Sequence, residues 1–269
     1  DYSVRDIPKF LYGSYSGIAL NIFNLVPSLT AALGVSVLPA LSGAWAVGDR
    51  RLTGRHINTM LRVTMLLAAP AGLGLTVLAG PLCQLLYGRK PVEAALAAGL
   101  LRMLGPAAIL VALTAPLNAA LQAVGRTSAP VKLMALGGAL KFAANYLLIG
   151  LPQVNIAGAP AGTLLCYALI VPWSLRLLVH EAKVRINYGR AVLRPLAAGI
   201  LCAAGAWSAH GLLARILPPG TAALLAVGIG AGVYLAAALL LQAVTKDDVL
   251  KLPTGEKIAK ILEKHALIR

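Results

Sequence analysis

Two groups of polar side chains stand inside segments that are otherwise almost entirely apolar. Lys141 and Asn145 are four residues apart, and Thr114, Asn118 and Gln122 recur every fourth residue in the preceding apolar segment. Residues four apart share a helix face, so each group forms a polar stripe. A lysine near the middle of a membrane span costs at least about 2.5 kcal/mol, so its side chain should face protein or water. Both groups could therefore donate hydrogen bonds or positive charge to a polar or anionic ligand.

The same residues also have a purely structural interpretation. Polar side chains join helices to one another in membranes, and Lys141 could pair with backbone carbonyls and only stabilise the fold. Arg102, in the first half of the segment that carries Thr114, is a further candidate for a binding site. The residues alone leave ligand binding and helix packing open for all of these groups.

No set of residues suits a catalytic reaction or a resident metal ion. Only nine residues are acidic, and a membrane phosphotransferase would need carboxylates grouped within a span to hold its metal. Most of them fall in the polar connections or the tail: Asp49, Glu181, Asp247, Asp248, Glu256 and Glu263. The cysteines Cys83, Cys166 and Cys202 lack the spacing of a zinc site or a disulfide framework. The sequence predicts no enzyme, no metal and no cofactor.

The composition is that of a membrane protein. Hydrophobic residues make up 59% of the chain and charged residues 12%, whereas a soluble domain carries about 25% charged residues. The net charge of +15 comes from Lys and Arg in short connections and the tail. Basic residues beside apolar spans orient a membrane protein, whereas a nucleic-acid interface would need a basic face on a folded domain. A nucleic-acid partner is therefore excluded.

The apolar runs predict an all-α, polytopic integral membrane protein with about seven transmembrane helices. Each run reaches the length of about 20 residues that crosses a bilayer. The predicted spans are Gly17–Ser42, Ile57–Leu78, Glu93–Val124, Ala129–Gly150, Ala157–Leu178, Ala191–Leu213 and Ala222–Val244. Prolines interrupt several of them, which leaves backbone carbonyls for neighbouring helices or a cavity to satisfy.

Three regions follow from these spans: an extracytoplasmic loop over residues 1–16, the seven-helix domain over residues 17–244, and a cytoplasmic tail over residues 245–269. A polar hinge that contains Asp49, Arg50, Arg51, Arg55 and His56 joins the first two spans. The tail reads as a basic amphipathic helix that binds an anionic lipid leaflet. A solvated helix with no lipid contact fits the tail equally well.

Charge in the connections predicts the orientation in the cytoplasmic membrane. One side carries most of the cations: Arg50, Arg51, Arg55, Arg126, Lys132, Arg176, Lys183, Arg185, Arg190, Arg194 and six in the tail. The other side has Arg5, Lys9, Arg89, Lys90 and Arg215. Because cytoplasmic loops carry the excess of Lys and Arg, the first residues are expected outside and the tail inside.

Several stretches resemble a known transporter family. They are LGVSVLPALSGAWAVGD, LTGRHINTMLRVTMLLAAPAGLGLTVLAGPLCQLLYG, LNAALQAVGRTSAPVKLMALGGALKFAANYLLI and NIAGAPAGTLLCYAL. Over roughly residues 10–180 the chain resembles the polysaccharide and stage V sporulation protein B type of the MATE-like multidrug/oligosaccharidyl-lipid/polysaccharide exporter superfamily. Lipid II flippases are similar at a greater distance. Members usually have about twice as many spans, so the chain looks like the carboxy-terminal lobe, and an amino-terminal half is an expected partner.

The resemblance implies a flippase for isoprenoid-pyrophosphate-linked sugars, in cell-wall or polysaccharide biosynthesis. Lys141 and Asn145 match a recurrent pattern of the sporulation-type branch, and a cation or an amide suits a pyrophosphate because charge-assisted hydrogen bonds are strong. Ala19 and Leu20 stand about where lipid II flippases carry an arginine, which favours the polysaccharide or sporulation-type branch. The implied substrate-binding set is Lys141, Asn145, Asn118, Gln122, Thr114 and Arg102.

Two other functions remain compatible with the sequence. A cation-coupled multidrug antiporter of the same superfamily would need a carboxylate inside the membrane, and none lies near the middle of a predicted span. A membrane scaffold for cell-wall synthesis enzymes would use the basic loops and tail instead of a translocation path.

Overall fold

The computed structural model describes residues 6–151 and 153–243, and these residues form helices without any strand. Nine α-helices follow in order: α1 (Ile7–Ser14), α2 (Leu20–Ala46), α3 (Arg50–Val77), α4 (Ala79–Tyr87), α5 (Pro91–Ala123), α6 (Ser128–Ile149), α7 (Gly158–Ala182), α8 (Arg194–Leu213) and α9 (Pro219–Leu240). The tail predicted for residues 245–269 lies outside the described residues. Seven helical segments of the described chain are long and apolar enough to cross a membrane, which confirms the predicted all-α architecture.

The first span is longer than predicted. A π-helical turn over Tyr15–Ala19 joins α1 to α2, so Ile7–Ala46 form one continuous helical segment. Residues 1–16 were expected to form a loop, but the chain is helical from Ile7 onward. Serine hydroxyls in this stretch bond to carbonyls of their own helix: Ser14 donates to Phe10 and Ser16 donates to Tyr12. These serines are therefore tolerated in the helix, because each hydroxyl finds an acceptor within it.

The predicted hinge between the first two spans is shorter than expected. Only residues 47–49 separate α2 from α3, so Arg55 and His56 lie within α3. Asp49 caps α3 by accepting a hydrogen bond from the backbone N–H of Leu52 at 2.9 Å. Gly48 has a φ of +73°, which only glycine adopts without strain, and this allows the tight turn.

A short helix lies between the second and third predicted spans. Its nine residues, Ala79–Tyr87, extend only about 13 Å, too little to cross a bilayer. This helix, α4, packs against α5 and α9.

Helix α5 lies at the centre and packs against α2, α3, α4 and α7. It crosses α3 at close range, where Gly105 faces Gly72. A Cβ on Gly105 would lie 2.6 Å from the carbonyl oxygen of Gly72 and would overlap the Thr76 hydroxyl. Small residues let two backbones approach closely, and such contacts drive helix association where lipid competes for apolar surface.

A proline in α3 is compensated from another helix. Pro70 has no N–H, so the carbonyl of Leu66 loses its donor within the helix. The hydroxyl of Tyr234 on α9 donates a hydrogen bond to that carbonyl at 2.6 Å. The prediction that neighbouring helices satisfy proline-freed carbonyls is therefore met at Pro70.

Candidate ligand-binding site

Lys141 and Asn145 lie on the face of α6 that packs against α7. Gly162 on α7 is in close contact with the Oδ1 atom of Asn145, and a Cβ on Gly162 would lie 3.6 Å from the carbonyl oxygen of Lys141. One turn earlier on α6, Gly137 packs against Ile170 and the Cys166 sulfur. The two predicted site residues thus belong to a tightly packed seam between two helices.

The Asn145 side chain is unusual within that seam. Its Oδ1 atom is buried and has no hydrogen-bond partner among the described residues. A buried acceptor without a partner is unfavourable and needs an explanation such as an unseen water or ligand. The Lys141 side chain beside it is half-buried.

The stripe on α5 divides between burial and exposure. Thr114 is buried, and its hydroxyl donates to the carbonyl of Val111 at 2.6 Å. The Asn118 amide lies 4.0 Å from the sulfur of Met134 on α6, and Gln122 is exposed. Helix α6 packs mainly on α7 and makes only a small contact with α5.

Arg102 lies toward the other end of α5. Its guanidinium is beside the start of α4, 3.6 Å from where a Cβ on Gly80 would stand. Twenty residues of helix separate Arg102 from Gln122, about 30 Å along the axis. The six predicted residues therefore occupy three neighbourhoods: Lys141 and Asn145 against α7, the stripe from Thr114 to Gln122, which contacts α6 through Asn118, and Arg102 near α4.

An apolar groove of about 410 Å³ runs between α2, α3, α8 and α9. Its lining is almost wholly aliphatic and includes Leu25, Leu29, Leu75, Val227 and Ala231. Leu25 and Leu29 are well exposed in this chain. Such a groove suits a hydrocarbon chain rather than a polar ligand.

A larger basic cavity of about 990 Å³ lies where α3 begins and the α7–α8 connection passes. Its lining comprises Arg50, Arg51, Gly54, Arg55, Asn58, Thr59, Arg62, Lys183, Val184, Arg185, Asn187, Arg190 and Ala191. Sequence reasoning treated all of these cations except Arg62 as orientation signals of separate loops and missed the cavity. The signal that could have found it is the spacing of Arg51, Arg55 and Arg62, which places them on one face of α3.

Further contacts hold this end of the bundle together. Arg126, in the α5–α6 connection, pairs with the Glu181 carboxylate at 2.7 Å. The Arg50 guanidinium donates to the carbonyl of Ala182 at 3.1 Å and stacks over the Trp45 ring, 4.5 Å from its centroid. The ends of α2 and α7, the start of α3 and two connections therefore meet at one end of the structure.

Comparison with known proteins identifies a family for most of the chain. Residues 14–213 match the family model described as Lipid II flippase MurJ. Lipid II flippase MurJ of Bacillus subtilis (strain 168) is 27% identical over 176 residues, which are 65% of this chain and 32% of the relative. Stage V sporulation protein B of the same organism is 24% identical over 173 residues, 64% of this chain and 31% of the relative.

A solved structure shares the fold. The chain matches Lipid II flippase MurJ in its inward closed conformation with a TM-score of 0.61 and 16% sequence identity. The match covers 86% of this chain and 46% of that structure. The chain thus spans less than half the length of these relatives.

Proposed function

Since the chain belongs to the lipid II flippase MurJ family, a family of transporters rather than enzymes, we propose that it forms part of a flippase in the cytoplasmic membrane. Its substrate is a lipid-linked oligosaccharide or a peptidoglycan or polysaccharide precursor. The chain is a multi-pass membrane protein with seven apolar helical segments. A second set of helices of similar length completes the translocation path.

The apolar groove is the observation that carries this proposal. A lipid-linked sugar has a hydrocarbon chain and a charged headgroup, so its carrier needs both an apolar path and a polar path. The groove between α2, α3, α8 and α9 is open and lined by aliphatic side chains, as a lipid chain requires.

The headgroup path is assigned to the polar residues of α5 and α6. Lys141 supplies positive charge to a pyrophosphate, and Asn145, with its unpartnered Oδ1, is adjacent for sugar or phosphate contacts. Thr114, Asn118 and Gln122 line the approach from the end of α5. The alternative, in which Lys141 only stabilises the α6–α7 seam, predicts that Lys141→Ala loses stability together with activity.

Orientation is part of the proposal. The cavity residues Arg55 and Arg185 face the cytoplasm, and Lys90 faces the opposite side, because the cation-rich connections belong inside. The tail over residues 245–269 is assigned to the cytoplasmic leaflet, where it contacts anionic lipids.

Flipping by the full-length transporter in liposomes tests the groove. A fluorescent lipid-linked precursor is reconstituted with the protein, and its movement between leaflets is followed by an impermeant quencher. Ala231→Trp fills the groove and should block flipping, whereas Ala236→Trp, on an exposed part of α9 outside the groove, should not. Equal activity in both variants removes the groove from the path. Drug–cation exchange without any flipping by the wild type would favour an antiporter.

The Lys141 assignment has its own test in the same liposomes. Loss of one charge-assisted contact costs about 1.5–3 kcal/mol, so Lys141→Ala should weaken substrate handling about 10-fold to 100-fold. Lys141→Arg should retain part of the activity, and Lys132→Ala, an exposed position on the same helix, should retain all of it. If Lys141→Ala loses membrane expression and thermal stability together with activity, the structural role is favoured instead. Full activity in Lys141→Ala would remove it from the site.

A further inference from the structure

The basic cavity concentrates positive charge at one end of the bundle. Seven of the residues that line it are Arg or Lys, and none of the lining residues is acidic. Arg50 and Arg51 stand in the first turn of α3, where the helix dipole disfavours cations. Like charges on converging walls also repel one another. Such an arrangement is unfavourable alone and becomes favourable when an anion binds between the walls.

The walls of the cavity are held in place by hydrogen bonds. Asn58 on α3 donates through its side-chain amide to the carbonyl of Arg185 at 3.1 Å, and its Oδ1 accepts from the backbone N–H of Asn187 at 2.8 Å. The Asn187 side chain accepts in turn from the N–H of Arg190 at 3.1 Å. Buried Val184 packs against Gly54. The connection is therefore fixed to α3, and its cations are presented to the cavity on a rigid frame.

The cavity extends along α3 into the span. Arg51, Arg55 and Arg62 lie on one helix face, and eleven residues from Arg51 to Arg62 correspond to about 16 Å. Arg51 and Arg55 are exposed near the helix end, whereas Arg62 is half-buried. A line of cations from the helix end into the bundle matches a ligand anchored in the membrane better than one arriving from solution.

We propose that the basic cavity binds the phosphate-bearing headgroup of a membrane lipid. Arginine favours this chemistry because its planar guanidinium binds phosphate oxygens in a bidentate manner. Seven cations match a pyrophosphate better than a single phosphate diester. The headgroup can be the pyrophosphate of the lipid-linked precursor, and that assignment rests on the proposed function. An anionic phospholipid supplies the same phosphate chemistry and does not depend on the proposed function.

Membrane orientation alone does not account for the cavity. The orientation rule counts Lys and Arg in the connections, and it does not require them to converge on one cavity. Cations elsewhere at the same end, such as Lys132 and Arg176, satisfy that rule without lining the cavity. These two residues therefore provide a control with matched charge.

The test measures binding to the purified full-length protein in neutral-lipid nanodiscs, so it does not depend on flipping. The probes are a short-chain isoprenyl pyrophosphate, short-chain phosphatidylglycerol and inorganic pyrophosphate. Arg55→Gln/Arg185→Gln removes two exposed cavity charges and should weaken binding of a lipid probe about 10-fold or more. Lys132→Gln/Arg176→Gln removes the same charge outside the cavity and should leave binding unchanged. Thermal unfolding of both variants verifies that each remains folded.

Each outcome separates the alternatives. Weaker lipid binding in the cavity variant alone supports the site. The probe that binds more tightly then identifies the precursor headgroup or the phospholipid as the ligand. Equally weakened binding in the cavity variant and the control variant indicates general electrostatic attraction and overturns the site. No loss in the cavity variant, or inorganic pyrophosphate binding as tightly as the lipid probes, overturns a lipid headgroup site. Headgroup binding in a protein that flips no lipid would leave the site intact and refute only the proposed function.

Discussion

The hydrogen bond from Tyr234 to Leu66 gives a sharp test of how the helices are held together. Pro70 removes the donor that would serve the Leu66 carbonyl inside α3, and the Tyr234 hydroxyl on α9 replaces it at 2.6 Å. Tyr234→Phe deletes this hydroxyl and keeps the ring. The change therefore leaves an acceptor without its donor and alters little of the packing.

The expected loss in the free energy of unfolding follows from the environment of the Leu66 carbonyl. Hydrogen bonds between membrane helices contribute about 0.6 kcal/mol on average and about 1.7 kcal/mol at most. An acceptor left unsatisfied in an apolar setting costs about 1–3 kcal/mol. Because Pro70 prevents the helix from supplying a substitute N–H, we expect a loss near the upper end, about 1–2 kcal/mol.

Equilibrium unfolding of the full-length protein in mixed micelles measures this loss, with Tyr146→Phe on the exposed face of α6 as the control. Pro70→Ala restores an N–H for the Leu66 carbonyl, so Tyr234→Phe should cost about 0.5 kcal/mol or less in that background. If Tyr234→Phe costs no more than Tyr146→Phe, or costs the same with and without Pro70, the hydrogen bond does not compensate the proline.

Two further predictions concern packing and orientation. Gly105→Ala forces a Cβ against Gly72 and Thr76 and should destabilise the full-length protein by about 1–3 kcal/mol in the same unfolding assay. Gly99→Ala, on the same helix with open space around it, should be neutral or stabilising, and equal losses would refute the close-crossing argument. Single cysteines introduced at Arg55, Arg185 and Lys90, after replacement of the native cysteines by alanine, report the orientation in intact cells. An impermeant thiol reagent should label only position 90; labelling at 55 or 185 but not at 90 would invert the assignment.

The number of spans could be predicted because an apolar run of sufficient length is a strong local signal. The ends of the helices were harder to predict. An apolar run ends at the first charged residues, whereas the helix continues through them. Arg55 and His56 illustrate this: Asp49 caps α3 and starts the helix at Arg50, ahead of the apolar residues. The short helix α4 was missed because nine residues that contain Gly80 and Pro81 and precede Gly88 resemble a connection.

For the candidate site, the sequence could predict only which residues share a helix face. Spacing placed Lys141 and Asn145 on one face, but nothing in the sequence says that this face meets α7 rather than α5. The basic cavity depends on contacts between residues about 130 positions apart, such as Asn58 with Arg185. Such distant pairings are a property of tertiary packing, which local patterns do not contain.

The stacking of Arg50 on Trp45 supplies the protein with its own optical reporter. The indole emits at a wavelength that follows the charge beside its ring, and the Arg50 guanidinium lies 4.5 Å from the ring centroid while lining the basic cavity. The other two tryptophans, Trp173 and Trp207, are mostly exposed and distant in sequence, so phenylalanine can replace both. In such a single-tryptophan protein, an anion that draws Arg50 away from the ring changes the emission of Trp45, and occupancy of the cavity becomes visible without an added dye.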